Sequence, residues 1–244
     1  MPSYKKGIGY RYIQETKYHL GTPLSDNLGP IERPSLFKTY PDAIKISLPE
    51  PNLISGASIW ECLGRRRSLR DYKPLPISLE ELSSLLWATQ GITVESPPFF
   101  YRTAPSAGAL YPIETYLWVN RVNGVEKGIY HFNVKDFELE QIAKGDLFRE
   151  ITKASLGQVT VMIAAIVFIW TAIVLRSMWK YRNRAIRYIF MDVGHICENL
   201  QLAATALNLG SCPIGAFYDD EINRLIELDG EEETTIYLAT VGKI

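Results

Sequence analysis

Residues 65–72 read Arg-Arg-Arg-Ser-Leu-Arg-Asp-Tyr, and residues 104–112, later in the chain, read Ala-Pro-Ser-Ala-Gly-Ala-Leu-Tyr-Pro. The first segment joins guanidinium groups to a hydroxyl, a donor set that binds phosphate through paired, charge-assisted hydrogen bonds. The second consists of small residues, which let a flat ligand lie close to the backbone. Each pattern also has an ordinary explanation, a solvated basic face or a turn. Together they indicate a planar, phosphorylated cofactor, and flavin mononucleotide (FMN) has both properties.

These segments are part of an ordered series of motifs that covers most of the chain. The series consists of Tyr18-His19, Lys38-Thr39-Tyr40-Pro41, Arg66-Arg67-Ser68-Leu69-Arg70, 82–91, 102–112, 128–132, Lys180-Tyr181-Arg182-Asn183-Arg184, 194–200 and 210–217. In this series the chain resembles the FMN-dependent nitroreductase family. It is most similar to the SagB-type dehydrogenase branch, which includes the oxidases that convert azolines to azoles in ribosomal peptide maturation.

The resemblance implies both a fold and an assembly. The expected fold is α+β and nitroreductase-like, with a central mixed or antiparallel sheet flanked by helices. The expected assembly is an intertwined homodimer with two FMN sites at the subunit interface. The substrate would be a small molecule or a peptide, with NAD(P)H as a further candidate electron donor and a cyclodehydratase as a candidate partner.

The resemblance also assigns FMN contacts. Arg66 and Ser68 would hold the phosphate and ribityl end, and Arg70 would lie near the pyrimidine edge, where a cation stabilises the reduced ring. The backbone amides of Gly215 and Ala216 would lie near flavin N5, although that segment alone reads as a turn. The full predicted set is Arg66, Arg67, Ser68, Arg70, Pro105, Ser106, Ala107, Gly108, Ala109, Pro213, Ile214, Gly215, Ala216 and Lys243.

Two positions in this set depart from the family pattern. Many nitroreductases have a polar side chain where this chain has Ala109, so backbone groups must serve there. Nitroreductases also carry cationic residues near the C-terminus, and here Lys243 is the candidate. The ordinary alternative for a terminal lysine is a solvated side chain.

Lys180 and Tyr181 are the predicted catalytic residues. In the azoline-oxidising branch, a Lys-Tyr pair at this place is implicated in deprotonating the substrate as hydride leaves to flavin N5. A lysine desolvated beside Arg182, Arg184 and Arg187 would be suited to accept a proton near neutral pH. The alternative is an exposed basic helix face. His131 and His195 are predicted to be structural.

The overall composition excludes several classes of protein. Lys and Arg total 26 against 27 Asp and Glu, so the net charge of −1 provides no field that would attract nucleic acid or an anionic membrane. Three widely spaced cysteines form no zinc motif and no disulfide framework, and no metal site is predicted. The first twenty residues lack a secretory signal pattern. We therefore expect a cytoplasmic location.

An uncharged run from Val159 to Leu175 approaches the length of a short transmembrane helix. Its β-branched residues instead favour a strand buried on both faces, over Val161 to Ile169, followed by a helix that begins near Thr171. The resembled family has a central strand here. We therefore predict a buried strand and no membrane role.

The chain is predicted to form one domain, residues 56–244, preceded by an extended arm, residues 1–55, that is rich in proline and has no sustained period. Such an arm would wrap a partner subunit or remain a mobile tail. Ser78 and Glu81 form a capping box that predicts a helix ending at Gly91. Further predictions are a helix over 58–63, a strand over 114–120, a hairpin over 128–141, a helix over 146–154, a helix from 172 to 208 with a break near 181–183 and a stop at Gly210, a helix over 219–228 and a strand over 234–241.

Three functions are compatible with this pattern. The first is a SagB-type dehydrogenase that transfers hydride through flavin N5. The second is an NAD(P)H-dependent nitroreductase or a quinone or flavin reductase on the same fold. The third is a non-catalytic binding module with a flavin fold, which the intact Arg66-x-Ser68-x-Arg70 pattern disfavours.

Overall fold

The computed structural model describes residues 3–21, 28–52 and 56–244. The helices of these residues are α1 Ile8–Glu15, α2 Ile59–Arg65, α3 Leu79–Gln90, α4 Phe148–Ala154, α5 Val159–Ile163, α6 Leu175–Tyr181, α7 Ala185–Ala206 and α8 Asp219–Leu225. The strands are β1 Lys45–Ser47, β2 Ile92–Ser96, β3 Phe99–Arg102, β4 Ile113–Val119, β5 Gly128–Asn133, β6 Glu138–Lys144, β7 Ile166–Ile173, β8 Leu209–Ile214 and β9 Glu233–Lys243. Short 3₁₀ turns cover Ala107–Ala109 and Arg182–Arg184.

Seven strands form one sheet in the order β1-β6-β5-β4-β7-β9-β8, and each neighbouring pair is antiparallel. Strands β2 and β3 form a separate hairpin. The predicted α+β architecture is therefore confirmed, with the antiparallel form of the sheet. The predicted strand at 114–120 and the hairpin at 128–141 are also confirmed as β4 and the pair β5-β6.

The central strands β4 and β7 carry the core because helices cover both faces of the sheet. On one face, Leu117 and Phe168 pack in a cluster with residues of α3 and α7. On the other face, Trp118 and Ile169 pack with residues of α4, α5 and α8. Side chains alternate between faces along a strand, so a strand covered on both sides is apolar at most positions on both faces. This is why β7 lacks an amphipathic pattern.

The helix α3 begins as its sequence predicts. The Ser78 hydroxyl accepts from the Glu81 backbone N–H at 3.1 Å, and a Glu81 carboxylate oxygen accepts from the Ser78 N–H at 2.8 Å. These reciprocal bonds satisfy two N–H groups that have no partner within the helix. The helix ends at Gln90, and Gly91 is needed there because a Cβ would collide with the Trp87 indole.

The apolar run at 159–175 differs in detail from its prediction. Residues 159–163 form the short helix α5, and the strand β7 lies later than predicted, at 166–173. Thr171 is therefore inside the strand, where its hydroxyl donates to Glu233 at 2.5 Å, and it does not cap a helix. Gly210 also lies within a strand, β8, because the preceding helix already ends at Ala206. No helix among the described residues is long and apolar enough to cross a membrane.

The first part of the chain is not extended throughout. Residues Ile8–Glu15 form helix α1, and Lys45–Ser47 form the edge strand β1, which pairs with β6. The predicted boundary after residue 55 falls at residues 53–55, which lie outside the described residues. The division into arm and domain therefore stays a prediction.

The three cysteines, Cys62, Cys197 and Cys212, are buried and form no disulfide. Burial raises the pKa of Cys197 to about 12 and also raises that of Cys212. Deprotonation to the reactive thiolate is therefore disfavoured at neutral pH.

A network of buried charges joins neighbouring strands at the side of β4. The two ring nitrogens of His131 lie 2.8 Å from a Glu140 carboxylate oxygen and 3.1 Å from one of Glu114. Burial alone would lower the pKa of His131, but these two hydrogen bonds raise it above its ordinary value. Burial alone would raise the pKa of Glu114, but Arg176, 2.5 Å away, and His131 lower it to about 2. His131 is thus an internal, paired histidine, as predicted.

Candidate functional site

The arginine cluster lies along one edge of the main sheet. Helix α2 ends at Arg65, and Arg66 takes an extended conformation with ψ 124°. The chain then runs beside β8, where Ser68 forms a parallel bridge with Ser211 and the Leu69 N–H donates to the Ser211 carbonyl at 2.9 Å. Side chains from this segment therefore project next to an edge strand.

The arginines in this cluster keep many donors available. Arg66 donates to the Gln201 amide oxygen at 3.1 Å, and its Nε lies 3.9 Å from a Glu198 carboxylate oxygen. The Arg67 and Arg70 guanidiniums donate to nearby backbone carbonyls, Arg70 at a long 3.4 Å. A guanidinium has five N–H donors, and the side chains of Arg67 and Arg70 are exposed, so donors remain for a ligand. This donor set, with the Ser68 hydroxyl, fits a phosphate.

A cavity of about 530 Å³ follows this segment from Ser68 to Pro74 and reaches Ile244. Its volume lies within the range of small-molecule sites, roughly 300–1,000 Å³. Tyr72 anchors its wall: the phenol donates to the Leu69 carbonyl at 2.7 Å and lies 2.8 Å from the Thr240 hydroxyl. Burial raises the Tyr72 pKa to about 12, so it remains a neutral donor. Gly242 admits this ring, since a Cβ there would lie 2.6 Å from it.

The Pro213–Ala216 segment begins at the end of β8, the strand that also pairs with Ser68. Pro213 and Ile214 end β8 and pair with Ala239 and Leu238 of β9. Gly215 and Ala216 follow and are exposed. With a rise of about 3.3 Å per residue, they lie roughly 13–17 Å along the chain from Ser211. The structure thus brings the arginine cluster and this segment to one edge of the sheet.

Lys243 lies near this edge but is occupied by another partner. Its ammonium forms a 2.6 Å ion pair with Glu81 at the start of α3. At the C-terminal end of the chain, Ile244 lines the 530 Å³ cavity, whereas Lys243 does not. A contact from Lys243 to a cofactor stays a prediction.

The small-residue segment is held from helix α7 by a buried acid that the sequence analysis did not identify. Asp192 accepts from the Ser106 hydroxyl at 2.6 Å and from the Ala107 N–H at 3.2 Å. The Ser106 oxygen in turn accepts from the Tyr111 N–H at 2.9 Å. Burial raises the pKa of Asp192, against the lowering effect of these hydrogen bonds. A lone acid between the apolar helix residues Ile189 and Val193 was the available signal.

Gly108 is where this segment meets the predicted catalytic pair. Its φ is +67°, a conformation that favours glycine. A Cβ at Gly108 would lie 2.6 Å from the Tyr181 hydroxyl and 2.8 Å from the Lys180 ammonium. A larger residue at Gly108 would be strained by this φ and would displace the ends of both side chains from their present positions. A cavity of about 510 Å³ adjoins this point and is lined in part by Phe99 and Tyr101.

The pair itself lies at the end of α6. The Lys180 ammonium is 5.2 Å from the centre of the Tyr181 ring, which packs edge-on against Tyr188. Lys180 is exposed in the single chain, and both Arg184 and Arg187 donate to Thr16. In the single chain, the prediction that Lys180 is desolvated beside these arginines is therefore wrong.

The predicted residues form two half-sites on one chain, both attached to α7. Asp192 holds the small-residue half-site, whereas Glu198 and Gln201 contact Arg66 of the arginine half-site. Six to nine residues of helix separate these anchors, which is about 9–14 Å of rise. Glu198 and Gln201 were also missed from the sequence, because nothing local to them signals a contact with Arg66.

Comparison with known proteins agrees with this fold. The nitroreductase family model matches residues 63–243. MJ1384 of Methanocaldococcus jannaschii, which is named as a nitroreductase, is 38% identical over 202 residues, covering 83% of this chain and 98% of the relative. The microcin B17-processing protein McbC of Escherichia coli is 25% identical over 180 residues, covering 69% of this chain and 63% of the relative.

Two solved structures have the same architecture. A protein named as a nitroreductase from Anabaena variabilis has a TM-score of 0.75 at 29% identity, covering 96% of this chain and 46% of that chain. The E. coli microcin synthetase McbBCD complex with truncated pro-MccB17 bound has a TM-score of 0.63 at 19% identity, covering 95% of this chain and 86% of the matched chain. At this identity the similarity establishes a shared fold and no shared function. Given the family match over residues 63–243, the chain belongs to the nitroreductase family.

Proposed function

We propose that this protein is an FMN-dependent oxidoreductase of the SagB-type dehydrogenase branch, acting on azoline rings in a peptide. The observation that carries the proposal is the meeting of Lys180 and Tyr181 at Gly108, beside a cavity lined by aromatic side chains. This places an amine and a phenol together next to a backbone that a planar ring can approach closely.

The proposed cofactor site uses the two half-sites. Arg66, Ser68 and Arg70, with Arg67 beside them, offer the donors that a phosphorylated flavin needs, and the 530 Å³ cavity offers space. The backbone from Pro213 to Ala216 would lie over the ring. When bound, FMN supplies a hydride acceptor at N5. In a homodimer, the arginine half-site of one chain would face residues 105–109 of its partner.

Lys180 and Tyr181 would then move a proton. Oxidation of an azoline removes a hydride from one ring carbon and a proton from its neighbour, and a carbon–carbon double bond forms between them. FMN held by the two half-sites would supply the hydride acceptor, and the neutral amine form of Lys180 or the phenolate form of Tyr181, which lie together at Gly108, would accept the proton. Oxygen, or another acceptor, would take the two electrons to complete the cycle.

Partners and location follow from the same branch. One relative processes microcin B17, and the McbBCD structure holds a truncated pro-MccB17. A cyclodehydratase that supplies the azoline is therefore the proposed partner. A cytoplasmic location, without nucleic acid or membrane as partners, stays a prediction.

An NAD(P)H-dependent nitroreductase is the second candidate, and the name of the M. jannaschii relative favours it. Anaerobic spectroscopy separates the two. The purified protein, loaded with FMN, is mixed with NADH, NADPH or an azoline-containing peptide, and the flavin absorption is followed. We expect rapid bleaching by the peptide and slow bleaching by both nucleotides. Rapid bleaching by a nucleotide alone would establish the reductase, and failure to bind FMN would indicate a non-catalytic binding module.

The catalytic assignment has a matched control. Lys180→Met should slow bleaching by the peptide by about 100-fold or more, a common effect of losing a proton acceptor. Lys153→Met changes an exposed lysine on α4 and should leave the rate unchanged. Equal rates for both variants would remove Lys180 from the mechanism.

A further inference from the structure

A segment near the N-terminus packs directly on the turn that follows Lys180 and Tyr181. We call residues 8–18, helix α1 and the three residues after it, the N-terminal clamp. Tyr12 of the clamp donates from its hydroxyl to the Asn183 carbonyl at 3.2 Å and accepts from the Arg187 N–H at 2.9 Å. The clamp therefore bonds to the backbone of the turn, at two points within seven residues of the catalytic pair.

Thr16 makes the densest contacts in the clamp and is buried. Its hydroxyl donates to the Tyr12 carbonyl at 2.6 Å and accepts from Arg187 at 2.8 Å from Nε and 2.5 Å from Nη2. One donor and two lone pairs are all that a hydroxyl has, so its capacity is filled. The Thr16 carbonyl accepts from Arg184 at 2.6 Å. Both arginines thus bind the end of α1, where free carbonyls favour cations.

These contacts continue to Tyr181 through an aromatic side chain. Arg184 donates from Nε to the Tyr188 hydroxyl at 3.0 Å. The Tyr188 ring packs edge-on against the Tyr181 ring, with centroids 4.8 Å apart. Arg184 also lies over the Tyr18 ring at 4.3 Å. A continuous set of contacts therefore joins Thr16 to the catalytic phenol.

The turn held by the clamp is strained. Arg182, the residue directly after Tyr181, has φ +51° and ψ −142°. Residues other than glycine seldom adopt this conformation, and it persists only where surrounding contacts fix it. The clamp supplies such contacts on the C-terminal side, at Asn183, Arg184 and Arg187.

We propose that Thr16 and Tyr12 are positioning residues: the N-terminal clamp holds the strained turn at Arg182 so that Tyr181 and Lys180 stay against Gly108. This inference rests on the proposed function for its catalytic consequence. Its geometric consequence, a link from the clamp to residues 105–109, is independent of the reaction.

The test uses the full FMN-loaded chain with Thr16→Val, Thr16→Ser and Tyr12→Phe. Thr234→Val is the matched control, since that hydroxyl accepts one hydrogen bond from Asn223, far along the chain on β9. Azoline peptide reduction gives kcat and KM, titration gives FMN affinity, and hydrogen–deuterium exchange reports on residues 105–111 and 181–188.

We expect Thr16→Val to lower kcat by 10- to 100-fold, with KM and FMN affinity within about twofold of the parent. Thr16→Ser should recover kcat to within threefold, and Thr234→Val should change nothing. Exchange should accelerate at least tenfold at 181–188 and measurably at 105–111. Tyr12→Phe should give a smaller change in the same direction, and it decides the matter if Thr16→Val does not fold.

Two results would overturn the inference. Faster exchange confined to 181–188, with kcat unchanged, would make the clamp structural only. Unchanged exchange in both segments would show that the clamp does not hold the turn. If the parent protein is not reduced by the peptide, the proposed function fails, and exchange at 105–111 still decides whether the clamp positions the pair.

Discussion

Two groups of charged residues in this molecule differ in their burial and in how their charges are paired. In the network of Glu114, His131 and Arg176, the side chains are buried and the charges pair within 3.1 Å. In the arginine cluster, Arg67 and Arg70 are exposed and bond to backbone carbonyls. Arg66 is 3.9 Å from a Glu198 carboxylate oxygen, a longer separation than in the buried network.

The difference shows which charges serve the fold and which are available to a ligand. A buried ion is costly unless it is paired, so each member of the network depends on the others. An exposed guanidinium with few strong partners costs the fold little and keeps its donors for an anion. Substitutions in the first group should therefore change stability, and those in the second should change ligand affinity.

The largest effect is expected for Arg176→Met. Removing this cation leaves Glu114 charged and buried, which should lower the free energy of unfolding by about 3–5 kcal/mol. Arg224→Met breaks an exposed ion pair with Glu221 and should change it by less than about 0.5 kcal/mol. Denaturant unfolding measures both. The double variant Glu114→Gln, Arg176→Met should recover part of the loss, and equal effects of the two single variants would contradict the comparison.

The second prediction concerns ligand affinity. Arg66→Ala should weaken FMN binding by about 2 kcal/mol, or roughly thirtyfold, since hydrogen bonds to a charged group contribute about 1.5–3 kcal/mol. Its neighbour Arg65 pairs with Glu61 at 2.7 Å, so Arg65→Ala is a control with an expected change below twofold. Flavin fluorescence titration gives both constants. Similar losses at the two positions would mean that the cluster acts only through its net charge.

The third prediction is a pH dependence of the free energy of unfolding, caused by the raised pKa of His131. Its folded pKa is raised above 6.5, so its contribution to stability is complete below pH 6.5 and is lost as the pH rises through the folded pKa. In that window the free energy of unfolding should fall by up to about 1.4 kcal/mol per pH unit. The lowered pKa of Glu114, about 2, gives the opposite trend below pH 4.5.

His131→Gln should be less stable at pH 6 and should lack this decline on the alkaline side. His195→Gln, at an exposed position on α7, is the control and should keep the slope of the parent. Urea unfolding between pH 5 and 9 measures the slopes. A parent curve parallel to that of His131→Gln above pH 6.5 would show that the imidazole is not charged in the folded state.

The smallest effect is expected at Lys243. Its ion pair with Glu81 is partly exposed, so Lys243→Gln should cost about 0.5–1 kcal/mol of stability and weaken FMN binding less than Arg66→Ala does. Glu81→Gln breaks the same pair and releases the ammonium. If FMN affinity then rises, Lys243 belongs with the available charges and not with the structural ones.

Sequence reasoning succeeded where the signal is local. The capping box of Ser78 and Glu81 fixed the start of α3, and alternation with turns fixed β4 to β6, because these patterns act over a few residues. It failed on the limits of β7, because residues 159–175 contain no charged residue, Gly or Pro that would mark the ends of a strand. Pairing with β4 and β9 places that strand at 166–173.

The same distinction applies to the site. The arginine and small-residue motifs could be found because each is a continuous pattern that a family shares. Asp192 stands out as an acid among apolar helix residues, but its contact with Ser106, 86 residues away, could not be predicted because nothing near it in sequence indicates that partner. Helix α1 was missed for a similar reason: its end is bound by Arg184 and Arg187, which are remote in sequence.

The three buried cysteines make this protein convenient for site-specific labelling. Cys62, Cys197 and Cys212 are each at most 2% exposed, so a maleimide dye should leave them unmodified in the folded protein. A single cysteine introduced at Ile8, which is 79% exposed on α1, would then carry the only fluorophore. Such a probe would report, in a chain with all its native thiols, how often the N-terminal clamp leaves the catalytic turn.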